Sequence, residues 1–295
     1  MMQAESQIVL DRVDTLPASS VRFTGTEDRA AIVQLDPDHP GFRDKVYRAR
    51  RDRIAQIALD YIPGTPIPDV CYTEQEHEVW RVIREKLEPC HKQYACAEFL
   101  ENAKRLNLPH TEIPQLCEVS ALVEDLSGFR LEPVAGLVQP RVFLESLASG
   151  VFLSTQYIRH HSAPLYTPEP DIVHELIGHA MMLASRRIAE LSRLVGEAVR
   201  RTTTDEALER LARVYWFTIE FGAIREAGSI KAYGAGLLSS AGELEAMHRA
   251  EIRPFDLEAA SHQTYDPTTF QPFFFCADSF DQMFHTLREF LLCWR

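Results

Sequence analysis

The sequence of 295 residues is long enough to form one large domain or two small ones. Its 31 lysines and arginines are outnumbered by 43 aspartates and glutamates, which gives a formal net charge of −12. This negative excess argues against nucleic acid or an anionic membrane as the main partner. Hydrophobic residues make up 45% and charged residues 25%, as in ordinary globular proteins.

The sequence carries no recognisable targeting or membrane segment. Its N-terminus lacks a basic start followed by an apolar core, so we predict no signal peptide. No run approaches the roughly 18 apolar residues of a membrane span. The six cysteines are scattered without a CxxC pair, which is typical of reduced thiols and not of a disulfide framework or a zinc knot. We therefore expect a cytoplasmic protein.

Residues 1–40 are rich in Asp, Pro, Ser and Thr. We predict that they form a poorly defined N-terminal arm with one or two short strands, at residues 8–10 and 31–33. The remaining chain, residues 41–295, has the pattern of a single domain. Its first segment, KVYRARRDRIAQIALDYI, places apolar residues at near-helical spacing and ends before Pro63-Gly64.

A second helical region is predicted over residues 73–106, opened by a capping Thr73 with acidic residues in its first turn. Two segments resemble strands, FRLEPVAG and the stretch around FQPFFF. No GxGxxG motif follows a strand, so a dinucleotide-binding fold has no support. The prediction is a mostly α-helical single domain with minor β-strands. Its further helices are expected at 114–126, 140–149, 171–190, 204–226, 238–249 and 277–290.

The stretch PEPDIVHELIGHAMM sets His174 and His179 five residues apart. Residues five apart on an α-helix diverge by about 140°, so a straight helix could not direct both imidazoles to one ion. Gly178 offers a place for the helix to bend or end, which would allow His179 to turn towards His174. The spacing is compatible with a metal site at a helix end and argues against an HExxH zinc protease. Two satisfied histidines in a half-buried helix are the alternative.

The segment LARVYWFTIEFGAI contains one carboxylate, Glu220, in an otherwise almost wholly apolar run. A carboxylate on such a face is costly unless a cation or a metal accompanies it. Arg225 is five residues along and badly placed for a same-face pair. Two histidines and one carboxylate form the facial triad of non-haem Fe(II) oxygenases. A salt bridge from Glu220 to a distant arginine is the alternative, and the spacing and the apolar surroundings disfavour a zinc hydrolase.

Residues 42–290 resemble the catalytic domain of the pterin-dependent aromatic amino acid hydroxylases. The resemblance is carried by several separated motifs, and together they are highly specific. The motifs are YRARR (47–51), GFRLEPVAGL (128–137), STQYIRHHSAPLYTPEPDIVHELIGH (154–179), YWFTIEFG (215–222), KAYGAGLLSS (231–240) and FQPFFFCADSF (270–280).

The resemblance implies a catalytic domain over residues 41–295 that uses Fe(II), tetrahydrobiopterin or a related tetrahydropterin, and O2. It implies iron ligands His174, His179 and Glu220, and catalytic roles for Glu175 and Tyr215. Glu175 would face the pterin side of the metal. The pterin ring would stack on Phe143, near the backbone of Val134, Gly136 and Leu137.

The same resemblance implies a site for a free aromatic amino acid. Arg159 would hold its carboxylate, since a guanidinium offers a planar fork suited to that group. The alternative for Arg159 is a salt bridge to an Asp or Glu. Supporting positions would be taken by Thr167, Ser239 and Glu243, and the aromatic pocket would be lined by Tyr166, Pro170, Trp216 and Phe221.

Three features depart from the family pattern. Ala180 and Met181 follow His179 where the family usually has Val-Pro, so we expect a reshaped wall of the site. Only about 40 residues precede the match, too few for the regulatory domain of animal members. The sequence ends at Arg295 without a long heptad helix, and we therefore expect a monomer.

Two positions favour phenylalanine as the substrate. Pro267 stands where tyrosine hydroxylases carry Asp, and Trp216-Phe217 stands where tryptophan hydroxylases usually read Phe-Phe. Hydroxylation of L-phenylalanine to L-tyrosine is the first expectation. The alternatives are hydroxylation of phenylalanine at the meta position, hydroxylation of tryptophan, and a catalytically silent sensor of an amino acid or pterin.

Overall fold

Helices form most of the structure, a computed structural model that describes residues 21–23 and 33–295. The mostly α-helical prediction is confirmed. Two π-helices, His174–Ala180 and Trp216–Glu220, interrupt the α-helical pattern, and a 3₁₀ turn lies at Met247–Arg249. The α-helices are α1 (Lys45–Asp60), α2 (Glu74–Tyr94), α3 (Ala97–Leu106), α4 (Leu116–Ser127), α5 (Pro140–Leu147), α6 (Met181–Leu183), α7 (Arg186–Arg201), α8 (Asp205–Tyr215), α9 (Ala235–Leu238), α10 (Ala241–Ala246), α11 (Leu257–His262) and α12 (Phe280–Cys293).

The strands are short and form three small sheets. Strands β1 and β2 pair antiparallel, β3 and β4 pair parallel, and the third sheet has the order β6-β5-β8-β7. In that mixed sheet β8 runs parallel to both β5 and β7. The bounds are β1 (Val21–Phe23), β2 (Val33–Leu35), β3 (Arg130–Pro133), β4 (Val151–Ser154), β5 (Ala223–Glu226), β6 (Ser229–Ala232), β7 (Glu251–Pro254) and β8 (Phe273–Ala277).

Several predicted helices were wrong in extent, among them the helix predicted over 238–249, which is divided at residues 239–240 between α9 and α10. The region 73–106 divides into α2 and α3 because the chain between them is extended, and Cys96 N donates to Ala232 O at 2.9 Å. The helix predicted over 204–226 ends at Glu220, and residues 223–226 form β5. A two-residue turn with positive φ at Ala227 and Gly228 closes the β5–β6 hairpin. The helix predicted over 171–190 divides before α7, which begins at Arg186.

The described residues of the predicted N-terminal arm contact the helical domain. Val33 and Leu35 of β2 are buried in a small cluster with Ala55 of α1, and Val33 N donates to Asp52 Oδ1 at 2.9 Å. The strand predicted at 31–33 begins at Val33, and the strand predicted at 8–10 lies outside the described residues. The boundary at residue 40 stays a prediction.

The first π-helix lies inside the main hydrophobic core. Leu176, Ile177 and Ala180 are fully buried there, and the segment packs against α4 and α9. Because core packing fixes this segment on several sides, any side chain that it directs inwards is held in a defined position. Within residues 33–295, no helix combines the length and apolar character needed to cross a bilayer.

A buried ion pair fastens α1 to the loop that precedes the first π-helix. Arg51 Nη1 donates to Glu169 Oε1 at 2.6 Å, and both side chains are almost completely buried. The Arg51 guanidinium also lies over the ring of Tyr157, 3.2 Å from its centroid. The Tyr157 hydroxyl in turn donates to Pro170 O. These contacts hold residues 169–170 in place, close in sequence to His174.

We predict that Arg51→Met destabilises the fold by about 3–5 kcal/mol, since it leaves the Glu169 carboxylate buried without its arginine. Urea unfolding followed by circular dichroism measures this loss. The exposed neighbour Arg53 provides the control, because Arg53→Met should stay within about 0.5 kcal/mol of the wild type. The double variant Arg51→Met/Glu169→Gln should lose less than Arg51→Met alone. Equal losses at Arg51 and Arg53 would contradict this account.

Candidate metal centre

The first π-helix explains how two histidines five residues apart reach the same place. In a π-helix the backbone hydrogen bonds join residues i and i+5, so residues five apart lie one above the other. His174 is the first residue of this π-helix and His179 is its last but one, and their Nε2 atoms are 3.0 Å apart. The expectation that the helix bends or ends at Gly178 was wrong. It continues through Gly178 to Ala180 and then into α6.

Gly178 instead allows α9 to pack closely against the first π-helix. A Cβ atom at this position would lie 2.7 Å from Ala235 O and 3.0 Å from Ala235 Cβ, so only glycine allows α9 to approach the π-helix this closely. Gly236, the next residue of α9, has the same role towards the second π-helix. A Cβ there would lie 2.9 Å from Glu220 Oε1 and 2.6 Å from the Phe221 ring. Helix α9 therefore sits directly between the segments that carry the three candidate ligands.

The second π-helix places Glu220 at its last position. Phe221 N donates to Trp216 O at 2.8 Å, which is the i to i+5 bond of the wide turn. Thr218 Oγ1 donates to Val214 O at 2.5 Å. A threonine hydroxyl that bonds the carbonyl four residues back perturbs the α-helical ladder locally. This bond accompanies the change from α8 to the wider turn, which carries Glu220 into the centre of the molecule.

The three predicted metal ligands converge. His174 Nε2 lies 3.3 Å from Glu220 Oε1, and His179 Nε2 lies 3.1 Å from Glu220 Oε2. Two atoms bound at right angles to one ion, each about 2.1 Å from it, would be about 3.0 Å apart. The separations of 3.0, 3.1 and 3.3 Å join the two imidazole nitrogens to each other and each of them to one oxygen of the Glu220 carboxylate, so both histidines and the carboxylate can face one divalent ion. Glu220 pairs with the histidines, and none of the arginines in the part of the chain that the structure describes forms an ion pair with it.

The protonation of the site suits a cation. Burial lowers the pKa of His174 to about 4, so its imidazole is neutral at pH 7 and has a lone pair to offer. Burial alone would raise the pKa of Glu220, but His174 and His179 outweigh it and hold that pKa below its usual value. The neutral imidazole of His174, the second imidazole of His179 and the Glu220 carboxylate make up the ligand set that non-haem Fe(II) sites use.

Ser239 orients the first histidine. Its Oγ lies 3.0 Å from His174 Nδ1 and donates to Ala235 O at 2.8 Å. The hydroxyl proton is thereby committed to the carbonyl, so the serine oxygen accepts from Nδ1–H and leaves Nε2 of His174 free of a proton. The resemblance implied that Ser239 supports the substrate. The structure places it against a metal ligand.

Glu175 follows the first ligand and is buried on the side of β4. Its Oε1 accepts from Thr155 N at 3.2 Å and from Thr155 Oγ1 at 3.0 Å. Burial raises the pKa of Glu175 to about 8, despite these two hydrogen bonds. The surroundings thus shift the pKa values of two carboxyl groups of the centre in opposite directions, downwards for Glu220 and upwards for Glu175.

Aromatic rings cover one side of the second histidine. The Phe152 ring of β4 lies 4.6 Å from that of His179, and Tyr215 is stacked 6.4 Å from the same ring. Phe143 of α5 meets Phe152 and Tyr215 edge to face, at 5.4 and 5.9 Å. The chain from β3 to α5 contains Val134, Gly136 and Leu137, so four positions that the resemblance assigned to the pterin lie on one short stretch leading to Phe143.

Arg159 is held by a buried carboxylate. Its Nε and Nη2 donate to Asp171 Oδ2 and Oδ1 at 2.8 and 2.7 Å. The salt bridge that the sequence analysis gave as the alternative for Arg159 is thus present. The third guanidinium nitrogen, Nη1, does not take part in this salt bridge. Asp171 Oδ1 also accepts from His174 N at 3.3 Å. One carboxylate therefore joins Arg159 to the start of the first π-helix.

The remaining predicted substrate residues lie in two places. Tyr166 is 56% exposed, so in this structure it does not line a closed pocket. Thr167 Oγ1 donates to Glu169 O at 2.8 Å, and Pro170 O accepts from Tyr157. These three belong to the loop between Arg159 and His174.

On the opposite element, Glu243 of α10 is buried, and both its oxygens accept from Gln271 N, at 3.3 and 3.4 Å. Burial raises the pKa of Glu243 to about 7, although the hydrogen bond from Gln271 acts in the other direction. Gln271 Oε1 also accepts from Trp216 Nε1 at 3.2 Å. Gln271 therefore connects Glu243 to the aromatic residues around Trp216.

Trp216 is the middle of a three-ring stack. Tyr265 lies parallel to it at 4.0 Å, and Phe221 lies on it at 4.6 Å. The stack begins beside Glu220, because Trp216 is the first residue of the second π-helix and Phe221 directly follows Glu220. It forms a broad aromatic wall close to the three candidate ligands.

Several residues of the site were not found from the sequence. Phe152, Thr155, Asp171, Tyr265 and Gln271 contact the predicted site residues directly. Asp171 had a signal, since it stands in the motif that precedes His174. Tyr265 lies in the segment QTYDPTTFQ, two residues before Pro267. Ala180 and Met181 are fully buried and continue the π-helix into α6, which packs on α3.

A fold of this kind with two histidines and one carboxylate defines a mononuclear metal protein of the non-haem iron class. The sequence profile of the biopterin-dependent aromatic amino acid hydroxylases matches residues 28–293. The chain belongs to that family. It is 47% identical over 263 residues to phenylalanine-4-hydroxylase of Bos taurus, an alignment that covers 87% of this chain and 58% of the bovine protein. The chain therefore spans little more than half the length of such curated relatives.

Two bacterial proteins are similar over most of their length. Phenylalanine 3-hydroxylase of Streptomyces coeruleorubidus is 45% identical over 252 residues, covering 85% of this chain and 90% of that one. The structure of phenylalanine hydroxylase from Chromobacterium violaceum, with bound iron(III) and oxidised 7,8-dihydrobiopterin, superposes with a TM-score of 0.72 at 28% identity. That comparison covers 81% of this chain and 90% of the other.

We predict that Glu220→Ala removes tight binding of iron, because the two imidazoles then lack their anionic partner. The loss should exceed the 10–100-fold that removal of an outer partner typically causes. Iron per chain after reconstitution and gel filtration measures it. Glu101→Ala, an exposed glutamate, is the control and should bind iron as the wild type does. Full iron content in Glu220→Ala would exclude this ligand set.

We predict that Ser239→Ala lowers iron affinity by about 10–100-fold, because His174 loses the oxygen that orients its ring. Competition with a chelator under anaerobic conditions measures the affinity. The neighbour Ser240 caps α10 through Glu243 N, so Ser240→Ala should reduce stability by about 1 kcal/mol without a comparable loss of iron affinity. Equal iron affinities of the Ser239 and Ser240 variants would contradict the proposed orientation.

Proposed function

We propose that the chain is an Fe(II)- and tetrahydropterin-dependent monooxygenase that uses O2 to hydroxylate the ring of a free aromatic amino acid, with L-phenylalanine to L-tyrosine as the main reaction. The observation that carries the proposal is the convergence of His174, His179 and Glu220 next to an aromatic wall. The family membership and the iron and pterin cofactors of the Chromobacterium violaceum enzyme support it.

In this proposal the iron is bound by His174, His179 and Glu220. Iron and tetrahydropterin, when bound, would supply the redox chemistry that activates O2. Three protein ligands on one side of an ion leave further positions for oxygen ligands, as in other facial triads. The chain's own part is to hold these ligands, position the two organic reactants and keep water out.

The pterin would bind on the side of Phe143, where Val134, Gly136 and Leu137 precede α5. Phe143 is half-buried and braced edge to face by Phe152 and Tyr215, so its orientation is fixed before any ligand arrives. A protonated Glu175 can donate a hydrogen bond to a pterin without adding a second negative charge near Glu220. Tyr215, which is buried against His179, is proposed to support the catalytic centre through that contact.

The amino acid would lie between Arg159 and the stack of Trp216, Phe221 and Tyr265. Asp171 already fixes the Arg159 side chain in the free protein. Binding of the substrate therefore costs little further conformational entropy of this side chain. Tyr166, Thr167 and Pro170 belong to the same loop as Arg159 and would complete this side. Ser239 and Glu243 are proposed to act indirectly, through His174 and through Gln271.

A second product is supported by one specific comparison. The similar protein of Streptomyces coeruleorubidus is a phenylalanine 3-hydroxylase, and it matches this chain at 45% identity. Meta-hydroxylation of phenylalanine is therefore the second candidate. A silent sensor would bind the same ligands without consuming O2, so turnover separates that alternative from both reactions. The monomeric state and the cytoplasmic location expected from the sequence stay predictions.

We predict that phenylalanine is preferred over tyrosine by about tenfold or more in kcat/KM. The apolar wall gains little from a phenolic hydroxyl, whose burial without a partner costs about 1–3 kcal/mol, and about 1.4 kcal/mol corresponds to a factor of ten. Tryptophan should be a poorer but measurable substrate. The assay compares the three amino acids at saturating tetrahydropterin and separates para-tyrosine from meta-tyrosine by chromatography. Faster turnover of tyrosine or tryptophan would contradict the preference, and a meta product would select the second candidate.

We predict that Arg159→Ala lowers kcat/KM for phenylalanine by about tenfold or more, mainly through KM. Charge-assisted hydrogen bonds are worth about 1.5–3 kcal/mol each. Because Asp171 also contacts His174 N, iron per chain is measured in parallel. Arg159→Lys keeps the charge but not the fork and should recover only part of the loss. An unchanged KM in an iron-loaded Arg159→Ala enzyme would place the carboxylate site elsewhere.

A further inference from the structure

A second group of potential metal ligands lies outside the centre described above. Asp44, His160 and His161 each place a ligand atom within 4.8 Å of the others. Among residues 33–295, this group and the triad are the two sets of three or more such side chains that meet that condition. Both sets contain two imidazoles and one carboxylate, a combination suited to zinc-class divalent ions.

The two carboxylate oxygens of Asp44 have different partners. Asp44 is the N-terminal cap of α1, and its Oδ1 accepts from Val46 N and Tyr47 N at 2.8 and 3.0 Å. Its other oxygen, Oδ2, faces His160 Nε2 at 3.3 Å. The backbone bonds fix the carboxylate in position and leave Oδ2 directed at the imidazole. A ligand atom fixed in this way needs no ordering when an ion binds.

His160 is held as firmly as a ligand of a built site. It is 6% exposed, and its ring meets the Tyr47 ring edge to face at 4.9 Å. Its Nδ1 lies 2.7 Å from Ser162 Oγ. Ser162 N donates to the same Nδ1 at 3.2 Å, so the proton of the neutral ring is on Nε2, which faces Asp44 Oδ2. His161 is exposed, with its ring 4.2 Å from that of His160, and completes the group from the solvent side.

We propose that Asp44, His160 and His161 form a second metal site, which binds a divalent ion of the zinc class with water in its remaining positions. Three protein ligands and an open position are an ordinary arrangement for zinc. The ion would join the N-terminus of α1 to the loop that begins after Arg159. Binding of the ion at His160 Nε2 would require the ring proton to move to Nδ1, where Ser162 Oγ would accept it.

The test uses the iron-loaded protein, so that the first centre is already filled. Protein is dialysed anaerobically against a zinc buffer of fixed free concentration, and iron and zinc per chain are then measured by mass spectrometry. We expect one iron and one zinc in the wild type. In His161→Ala and Asp44→Asn we expect one iron and at least about tenfold weaker zinc binding. Asparagine is as good a helix cap as aspartate, so Asp44→Asn retains the start of α1.

His248→Ala is the matched control, since His248 is also an exposed histidine but lies outside the group. It should bind zinc as the wild type does. Zinc should also raise the thermal midpoint of the iron-loaded wild type and His248→Ala, and not that of His161→Ala, because an ion that binds the native state stabilises it. Zinc uptake with an equal loss of iron, or equal zinc affinity in wild type and His161→Ala, would overturn the proposal.

Discussion

The wide turn of the first π-helix is the constraint on which the rest of the centre depends. It converts a separation of five residues into a common direction, so that the Nε2 atoms of His174 and His179 lie 3.0 Å apart. Gly178 lets α9 pack against this turn within contact distance. Helix α9 is followed by Ser239, which orients His174. The geometry of the π-helix, its packing against α9 and the orientation of His174 by Ser239 therefore depend on the same contact between the two helices.

The second π-helix provides the third candidate ligand, Glu220. It brings Glu220 into a buried space where a lone carboxylate would be unstable, and the two histidines offset that cost. Its first residue, Trp216, and the residue that follows it, Phe221, form the aromatic wall together with Tyr265, so the metal ligand and most of the wall derive from one short segment. Local widening of two helices thus creates both the ion site and its apolar side, which is typical of π-helical segments at functional sites.

The loop between β4 and the first π-helix connects this centre to the surface. Asp171 binds Arg159 and the backbone of His174, and Glu169 binds Arg51 of α1. Buried ion pairs of this kind stabilise less than their Coulomb attraction suggests, because both partners lose water. Their contribution here is to fix positions. The same loop carries His160 and His161, so the proposed second metal site would act on the segment that also holds Arg159.

From the sequence alone, the helical class, the three ligands and the family followed from motifs that are each contained in a short stretch of the chain. Helix limits near Gly222 and Cys96 did not, because β5 and the break between α2 and α3 depend on pairing with distant segments. Partners such as Tyr265 on Trp216 and Ser239 on His174 are separated by tens of residues and have no local signal. Spacing showed that an α-helix could not direct both histidines to one ion. That the segment forms a π-helix, which does direct both histidines to one place, was decided only in the tertiary structure. There the segment packs at Gly178 against α9, which is distant in the sequence.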